Sequence, residues 1–363
     1  MKIVFIGGRD IYSLGGIESY MYNLSKQLVD KGYSPVVYCE SDHNEVIYKH
    51  GVKIIYLKGF KSNILCKPLV GFKATIRTLL REKDVYLIHY NAWPPSIWSF
   101  IPRIFGIKTL LQEHGFEWKH TKYSSLQIKV LKFMEFYTAY TNTNIICVSK
   151  EQVDYFSKYY NRKATVIPSA VNLPDTKLRL SNVLENLGLE KNKYFLFMGR
   201  LSKEKNIEQL IDAFQNIESY KLVIAGINTI EPQYADALKL RSNNPNIIFA
   251  GAVYGTDKKV LLENAFVFCL PSTVEGLSIA LLEAMSYKIP IIASNIRANL
   301  DVLEENAIFV RPENVSDMEK AYDYCIKNKK KLQVLVDKNY KKVETYYTWD
   351  NVSSKYLDYV KSI

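Results

Sequence analysis

The stretch AFVFCLPSTVEGLSIALLEAM, residues 265–285, decides the fold class of this chain. It opens with an apolar run that predicts a buried strand over 265–270, and Pro271 begins the turn that follows. From Gly276 onward the pattern predicts a helix that ends near Tyr287. A strand that leads directly into a helix is one half of a β-α-β unit, which is the repeating unit of parallel sheets.

The same alternation of short apolar runs and helical segments occurs in both halves of the chain. In the first half, strands are predicted at 2–6, 35–39, 53–57, 85–90, 108–112, 144–148 and 164–167. In the second half, they are predicted at 194–198, 221–225, 246–250, 265–270 and 290–293. Each half therefore predicts a doubly wound α/β domain. The periodicity stops between Pro168 and Leu180, which places the linker there, and 349–360 predicts a terminal helix with one apolar face.

The composition is that of a globular protein, with 48% hydrophobic and 23% charged residues. No apolar run reaches the length of about 18 residues that a membrane-spanning helix requires. The five cysteines are far apart in the sequence, which disfavours a disulfide framework and a structural zinc site. We therefore expect a cytoplasmic protein.

The net charge of +11 is concentrated in residues 1–170, which contain 23 Lys and Arg against 13 Asp and Glu. A basic half of this kind predicts contact with an anionic partner, such as a lipid surface, phosphate groups or nucleic acid. The alternative is a solvated basic face without a partner.

Two carboxylates in the quoted stretch are candidate ligand-binding groups. Ligands of open parallel sheets bind at the carboxyl ends of the strands, where Glu275 lies. In the predicted helix, the N–H groups of Gly276, Leu277 and Ser278 face such a ligand, with the helix dipole behind them. Glu283 lies two turns further on and can face the same ligand. Such a pair suits a polyhydroxylated ligand, because carboxylates accept hydrogen bonds from hydroxyl groups. Alternatively, Glu275 is an ordinary carboxylate at the start of the helix, and Glu283 is solvated on the outer face of the same helix.

A second candidate site follows the strand predicted at 194–198. Gly199 permits close approach of the backbone, and Arg200 and Lys205 flank the start of a helix predicted over 204–217. A guanidinium and an ammonium beside a helix N-terminus suit a diphosphate. Cations in such loops are also common as plain surface charges.

Two further candidates lie in the first half. Gly15, Gly16 and Glu18 follow the first strand and predict a loop that packs against a phosphate or a sugar. His114 follows the strand at 108–112, where it can hydrogen-bond a sugar hydroxyl or transfer a proton, and Glu117 is close to it in sequence.

Several other sites are not expected. Four possible metal ligands lie close together in sequence: Glu113, His114, Glu117 and His120. They do not follow the His-Glu-x-x-His order of helical zinc sites, so we predict no zinc site. The chain has no Asp-x-Asp motif, no P-loop and no Gly-x-Gly-x-x-Gly fingerprint, which disfavours a P-loop NTPase and a dinucleotide oxidoreductase. Since no recognition motif is found either, we expect no nucleic-acid partner.

Taken together, these residues resemble the retaining glycosyltransferases of family 4. That family has the GT-B fold, in which two Rossmann-like domains face a central cleft. The resemblance covers essentially the whole chain and implies an acceptor-binding domain over 1–172, a nucleotide-sugar-binding domain over 173–345, and a C-terminal helix over 346–363 that crosses back to the first domain. Residues 113–118 and 137–154 are similar to a bacterial subgroup that includes rhamnosyltransferases of capsule, exopolysaccharide and O-antigen assembly. In that subgroup, Asp is frequent where this chain has His114.

The resemblance implies a role for each candidate residue: Arg200 and Lys205 hold the donor diphosphate, and Glu283 holds the ribose. The residues implied in donor binding are Arg200, Lys205, Glu283, Gly276, Leu277, Ser278, Gly16 and Val253. Those implied in catalysis are Glu275 and His114. Those implied on the acceptor side are Gly15, Glu18 and Glu117. One departure from the family pattern is Asn206, which replaces a frequent glycine after the lysine.

The implied activity is transfer of a sugar from a nucleoside-diphosphate sugar to a glycan or polyprenyl-diphosphate-linked acceptor, with retention at the anomeric carbon. No metal or other cofactor is expected, because fixed cations and helix N–H groups stabilise the leaving diphosphate. A sugar-nucleotide epimerase or phosphorylase with the same architecture, a binding module without catalysis and a nucleic-acid-binding protein are the alternatives.

The basic first half would then meet an anionic acceptor at the inner surface of the cell membrane, with the protein peripheral to it. Segments 60–81 and 118–132 mix cations with apolar residues, as interfacial segments do. Either segment fits a core-facing helix with a basic outer face equally well.

Overall fold

The computed structural model describes residues 1–11, 16–59, 65–116, 118, 123–175, 180–227 and 231–363. The chain divides into two compact units, Met1–Ala170 with Trp349–Ile363 and Val171–Thr348. Our sequence-based boundaries, 172/173 and 345/346, lie two and three residues away from these. In the described part of the chain, no helix combines the length and the apolar character needed to span a bilayer.

Within the described residues, the first unit is built on an eight-stranded sheet. Its strands are β1 (Lys2–Gly8), β2 (Ser34–Ser41), β3 (Glu45–Lys49), β4 (Val52–Lys58), β5 (Val85–Asn91), β6 (Lys108–Glu113), β7 (Asn144–Cys147) and β8 (Thr165–Val166). The order across the sheet is β3-β4-β2-β1-β5-β6-β7-β8, and all pairs are parallel except β3 with β4. The carboxyl ends of β1, β5 and β6 therefore lie side by side at one edge of the sheet.

The predicted strands of this half are confirmed, but β3 is an additional one. The predicted strands are apolar runs because helices cover both faces of a parallel sheet. β3 forms the edge of the sheet, and its residues from Glu45 to Lys49 are exposed or only partly buried. Without a buried face it lacks the apolar run by which the others were found.

Helices pack on both faces of this sheet. They are α1 (Gly16–Asp30), α2 (Cys66–Arg81), α3 (Trp93–Ser96), α4 (Phe100–Ile104), α5 (Ser125–Thr141) and α6 (Lys150–Tyr160). α1 buries the stripe that its periodicity predicts, including Tyr20, Leu24 and Leu28.

As far as its residues are described, the second unit contains a six-stranded, all-parallel sheet. Its strands are β9 (Tyr194–Met198), β10 (Lys221–Ala225), β11 (Ile247–Gly251), β12 (Val267–Leu270), β13 (Ile291–Ser294) and β14 (Ile308–Val310), in the order β11-β10-β9-β12-β13-β14. Its helices are α7 (Val183–Asn186), α8 (Ile207–Phe214), α9 (Pro232–Arg241), α10 (Gly255–Glu263), α11 (Ile279–Ser286), α12 (Arg297–Leu303), α13 (Val315–Lys327) and α14 (Lys329–Tyr346). β9 and β12, which precede the two main candidate sites, are adjacent.

The final helix, α15 (Trp349–Ser362), belongs to the first unit, as predicted. Its predicted apolar face is buried in that unit's core and consists of Trp349, Val352, Tyr356, Leu357 and Val360. The Tyr356 hydroxyl lies 3.0 Å from Nδ1 of the buried His89 on β5. A polar contact of this kind within a core fixes the position of α15 on the sheet.

We expect Tyr356→Ala to destabilise the first unit by about 3–5 kcal/mol, because the fully buried ring leaves a cavity and His89 loses its partner. Hydrogen exchange of the β5 amides in increasing urea measures this loss. Lys355→Ala is the matched control, since Lys355 is exposed on the same helix and should change stability by less than ~0.5 kcal/mol. Equal protection in the two variants would contradict the assignment.

Candidate active site

The loops that follow β9 and β12 are tied together by hydrogen bonds. Asn206 Nδ2 donates to the Pro271 carbonyl oxygen (3.2 Å), and Thr273 N donates to the Glu204 carbonyl oxygen (2.8 Å). These bonds join two strand ends that are about 70 residues apart in sequence, and parallel strands leave such ends open for ligands.

Asn206, where the resemblance implies a frequent glycine, has a left-handed backbone conformation. Its φ and ψ are 51° and 44°, in the left-handed region that glycine, and next to it asparagine, adopts most readily. The three residues before it, Lys203–Lys205, form a 3₁₀ turn, and α8 begins at Ile207. The predicted helix start at Glu204 was therefore wrong, because the left-handed residue separates the turn from the helix.

Lys205 and Glu275, which the sequence placed in separate candidate sites, form an ion pair. Lys205 Nζ lies 2.6 Å from Glu275 Oε1, and the Ser272 hydroxyl donates to the same oxygen at 2.7 Å. The two charged side chains are 18% and 8% exposed, so solvent screens this pair less than it screens a surface pair. The predicted cation and carboxylate thus belong to one site.

α11 begins at Ile279, three residues later than predicted. Ser278 caps it, because its hydroxyl accepts a hydrogen bond from Leu281 N. Gly276 and Leu277 therefore lie in the turn before the helix. Among the described residues, none accepts a hydrogen bond from the N–H of Ile279 or Ala280, so these groups and the dipole of α11 are available to an anion.

Glu283 forms a second ion pair, with Lys258 of α10 at 2.6 Å between Nζ and Oε1. Lys258 was not among the predicted site residues, because nothing in the sequence distinguishes it from Lys259 beside it. In the described part of the chain, the second carboxylate oxygen of Glu275 and of Glu283 accepts no hydrogen bond. Each carboxylate is thus held in place by a lysine and keeps one oxygen for a ligand.

Two further donor-site candidates follow β9 and β11, the strands on either side of β10. Arg200 is exposed after β9, and no described residue accepts a hydrogen bond from its guanidinium. Val253 follows β11 and packs partly buried against the core. The ends of β9 and β10 come so close together that a Cβ on Gly226 would lie 1.8 Å from the Gly199 carbonyl oxygen. Gly226 therefore has to be glycine for these loops to reach their positions.

In the first unit, Gly16 is the first residue of α1, and Glu18 Oε1 accepts a hydrogen bond from Arg9 N at 2.9 Å. Glu18 is 9% exposed, so its carboxylate holds the loop after β1. Gly15 and Glu117 lie outside the described residues.

His114 lies at the carboxyl end of β6, where its imidazole is neutral. His114 Nε2 is 3.2 Å from Asn91 Oδ1, and the Tyr20 ring packs edge-on against it at 5.1 Å. Because an amide oxygen only accepts, Nε2 carries the proton and Nδ1 is left as an acceptor. Burial, together with the charge of Lys67, lowers the pKa of His114 to about 3. Neutral His114 can therefore accept a hydrogen bond through Nδ1, but near neutral pH it acts neither as an acid nor as an effective base.

The loop that carries His114 is held by Glu113. Its side chain is 4% exposed, and its Oε1 accepts a hydrogen bond from Gly115 N at 3.2 Å. Within the described ranges, no group of three or more His, Cys, Asp or Glu side chains is placed to bind a metal ion.

Two family models match the chain. The model described as Glycosyltransferase Family 4 matches residues 14–174, and the one described as Glycosyl transferases group 1 matches residues 183–342. The chain belongs to glycosyltransferase family 4. The predicted family is thereby confirmed.

Curated relatives agree with this membership. An uncharacterized glycosyltransferase of Methanocaldococcus jannaschii is 28% identical, with 64% of this chain and 63% of the relative covered. The UDP-Gal:alpha-D-GlcNAc-diphosphoundecaprenol alpha-1,3-galactosyltransferase of Escherichia coli is 29% identical over 61% of this chain and 60% of the relative. The matches thus span about 60% of the length of these relatives.

Among solved structures, the sucrose-phosphate synthase of Thermosynechococcus elongatus has a TM-score of 0.88 and 18% identity over 100% of this chain and 98% of that one. This likeness shows the fold. The GT-B fold, predicted from the sequence, is confirmed.

We expect the imidazole of His114 to show no titration between about pH 5 and 8, because its pKa is far below the ordinary value of 6.5. The chemical shift of its Cε1 proton measures this, with His114→Gln to assign the resonance. His43 is the internal control, since hydrogen bonds to Asp42 and Glu45 raise its pKa. Below about pH 6.5 the unfolded chain binds a proton at this histidine and the folded chain does not. As the pH decreases from 6.5, the free energy of unfolding should therefore decrease less steeply in His114→Gln than in the natural chain. An inflection near 6.5 for His114 would refute the neutral assignment.

Proposed function

We propose that this family 4 glycosyltransferase transfers a sugar from a nucleoside-diphosphate sugar to a lipid-linked glycan acceptor in capsule, exopolysaccharide or O-antigen synthesis. The observation that carries the proposal is the Lys205–Glu275 ion pair at the carboxyl edge of a parallel sheet, with Arg200 exposed on the same loop. The E. coli relative is named for a UDP-galactose donor and a diphosphoundecaprenol-linked acceptor, which supports both substrate classes.

The donor diphosphate would bind to Arg200 and Lys205. An ammonium has three N–H donors, and Glu275 takes one of those of Lys205, so two remain for phosphate oxygens. Arg200 adds a planar fork that suits a phosphate group. The unpaired N–H groups at the start of α11 add their dipoles.

This donor site would act without a metal ion. Breaking the bond between the sugar and the phosphate places negative charge on the departing nucleoside diphosphate. Cations and N–H groups that are already in position stabilise this charge without reorganising, which is the main way in which such sites lower a barrier. Lys205 meets this condition, because Glu275 already orients its ammonium.

The nucleoside would bind through Glu283 and beside Val253. Lys258 holds Glu283 Oε1, which leaves Oε2 to accept hydrogen bonds from the ribose hydroxyls. Glu283 is therefore proposed as the ribose-binding group, and Val253 as an apolar contact of the nucleobase.

Retention at the anomeric carbon is proposed to proceed by attack on the same face as the leaving group. A double displacement would need a free carboxylate nucleophile. Glu275 is a poor one, because a lysine and a serine hydroxyl already donate to its Oε1. Glu275 is thus proposed to position the sugar and Lys205. The neutral His114 would hydrogen-bond a sugar hydroxyl through Nδ1.

Nucleoside diphosphates should raise the melting temperature of the natural chain, because they bind the folded state only. In Arg200→Ala and Lys205→Ala, the affinity should fall by about 10- to 100-fold, since each loses hydrogen bonds to a charged group. Thermal-shift titrations with UDP, GDP and dTDP measure this and identify the base. Lys203→Ala is the matched control, because Lys203 is exposed in the same 3₁₀ turn. Undiminished shifts in both variants would remove the diphosphate assignment.

The transferred sugar should keep the anomeric configuration that it has in the donor. The coupling constant of the anomeric proton, measured by NMR on product formed from the donor that binds best, decides this. An inverted centre would overturn same-face attack and leave the diphosphate assignment untouched.

A further inference from the structure

α5 exposes apolar and aromatic side chains on its solvent face. Leu126 and Phe133 are 71% and 67% exposed. With the other exposed large side chains of the helix they form a stripe at helical spacing, hereafter the α5 stripe: Leu126, Val130, Phe133, Phe136, Tyr137 and Tyr140. A surface helix of a globular protein usually places such residues against the core and polar ones in solvent. On α5 the stripe is instead exposed, which is the feature to be explained.

The orientation of α5 is fixed by a buried carboxylate on its opposite face. Glu135 is 2% exposed, and it accepts hydrogen bonds from Trp118 Nε1 at 2.7 Å and from the Tyr160 hydroxyl at 2.9 Å. Leu131, Thr138 and Ala139 are buried on the same side. A rotation that buried the α5 stripe would break both hydrogen bonds, so the outward apolar face is part of the fold.

The apolar surface continues beyond α5. Arg103 of α4 donates to the Thr141 carbonyl oxygen at 2.6 Å, which places the end of α4 beside the end of α5. Ile104 and Phe105 follow Arg103 and are 75% and 68% exposed. Exposed apolar side chains gathered on adjacent helices mark a site of interaction with a protein or a membrane.

The exposed charges on α5 are all positive. Lys129 and Lys132 are exposed among the residues of the α5 stripe, and Lys132 Nζ lies 4.3 Å from the centre of the Trp118 ring. The single acidic residue of α5 is Glu135, which is buried. Lysines beside phenylalanine, tyrosine and leucine are typical of helices that lie in the headgroup region of anionic bilayers.

We propose that the α5 stripe, with Lys129 and Lys132, docks on an anionic lipid bilayer. Charge favours a bilayer over a second copy of the chain, because two such faces would bring four lysines together, whereas acidic headgroups neutralise them. This docking rests on the proposed function in one respect: a lipid-linked acceptor lies in a membrane, so the enzyme that uses it has to reach the membrane surface. α5 is a better candidate than α2, which turns Val70, Ala74, Thr75 and Thr78 into the core.

Flotation with vesicles of phosphatidylglycerol and phosphatidylcholine, compared with phosphatidylcholine alone at low salt, tests the docking. We expect the natural chain to float with the anionic vesicles. In the natural chain, Leu126 and Phe133 would leave water when the stripe enters the bilayer. Without this apolar burial, the double variant Leu126→Ser with Phe133→Ser should partition into vesicles at least about 10-fold less. Lys129→Gln and Lys132→Gln should each lose roughly fivefold and weaken the dependence on salt.

Leu80→Ser is the matched control, because Leu80 is 75% exposed on α2 in the same unit and should leave flotation unchanged. The shift induced by a nucleoside diphosphate should persist in every variant, which separates failure of docking from failure of the donor site. The docking is overturned if the natural chain does not float at low salt, or if Leu80→Ser weakens flotation as much as the double variant. It is also overturned if size exclusion shows a dimer that only the double variant dissociates, since the occupant is then a second copy.

Discussion

The hydrogen bonds that tie the loop after β9 to the loop after β12 are the constraint on which the donor site depends. Lys205 and Glu275 come from loops 70 residues apart, and each alone would be an ordinary charge at the end of a strand. The bond from Asn206 to the Pro271 carbonyl brings them within 2.6 Å of each other. The left-handed conformation of Asn206 is what lets one residue end the turn that carries Lys205, begin α8 and reach the neighbouring loop.

The two units are suited to anions in different ways. In the second unit the balance of charge is almost even, so an anion has to be recognised by a few groups held in position, such as Lys205, Arg200 and the start of α11. Groups of this kind give geometric specificity. In the first unit the excess of lysine and arginine is large and spread over the sequence, which favours attraction to an extended anionic surface. A soluble donor would be bound by the few positioned groups of the second unit, and a membrane-bound acceptor would be approached through the positive charge of the first.

The alternation of apolar runs was enough to predict both sheets, because buried parallel strands are the most regular apolar segments of such a fold. It missed the edge strand β3, which has no buried face, and the short β14, in which only Val310 is buried. The starts of α8 and α11 were misplaced, since they depend on a left-handed residue and a serine cap. The Lys258–Glu283 ion pair could not be predicted from local sequence patterns, because it joins two helices. The α5 stripe shows a further limit, because periodicity reports an apolar face without saying what covers it.

The ion pairs of the donor site also bear on how its carboxylates act. A partly buried ammonium without a partner is costly, so Lys205 needs a compensating charge as long as no diphosphate is bound. Glu275 supplies that charge and leaves two donors of Lys205 for phosphate oxygens, which is the arrangement that the proposed leaving group would need. In the proposed site, Glu275 would therefore act on the diphosphate through Lys205 in addition to any contact with the sugar, and its removal would disturb both. Glu283 is paired with a different lysine, on α10, so the carboxylate proposed to bind the ribose and the one beside the proposed phosphate site share no ion-pair partner.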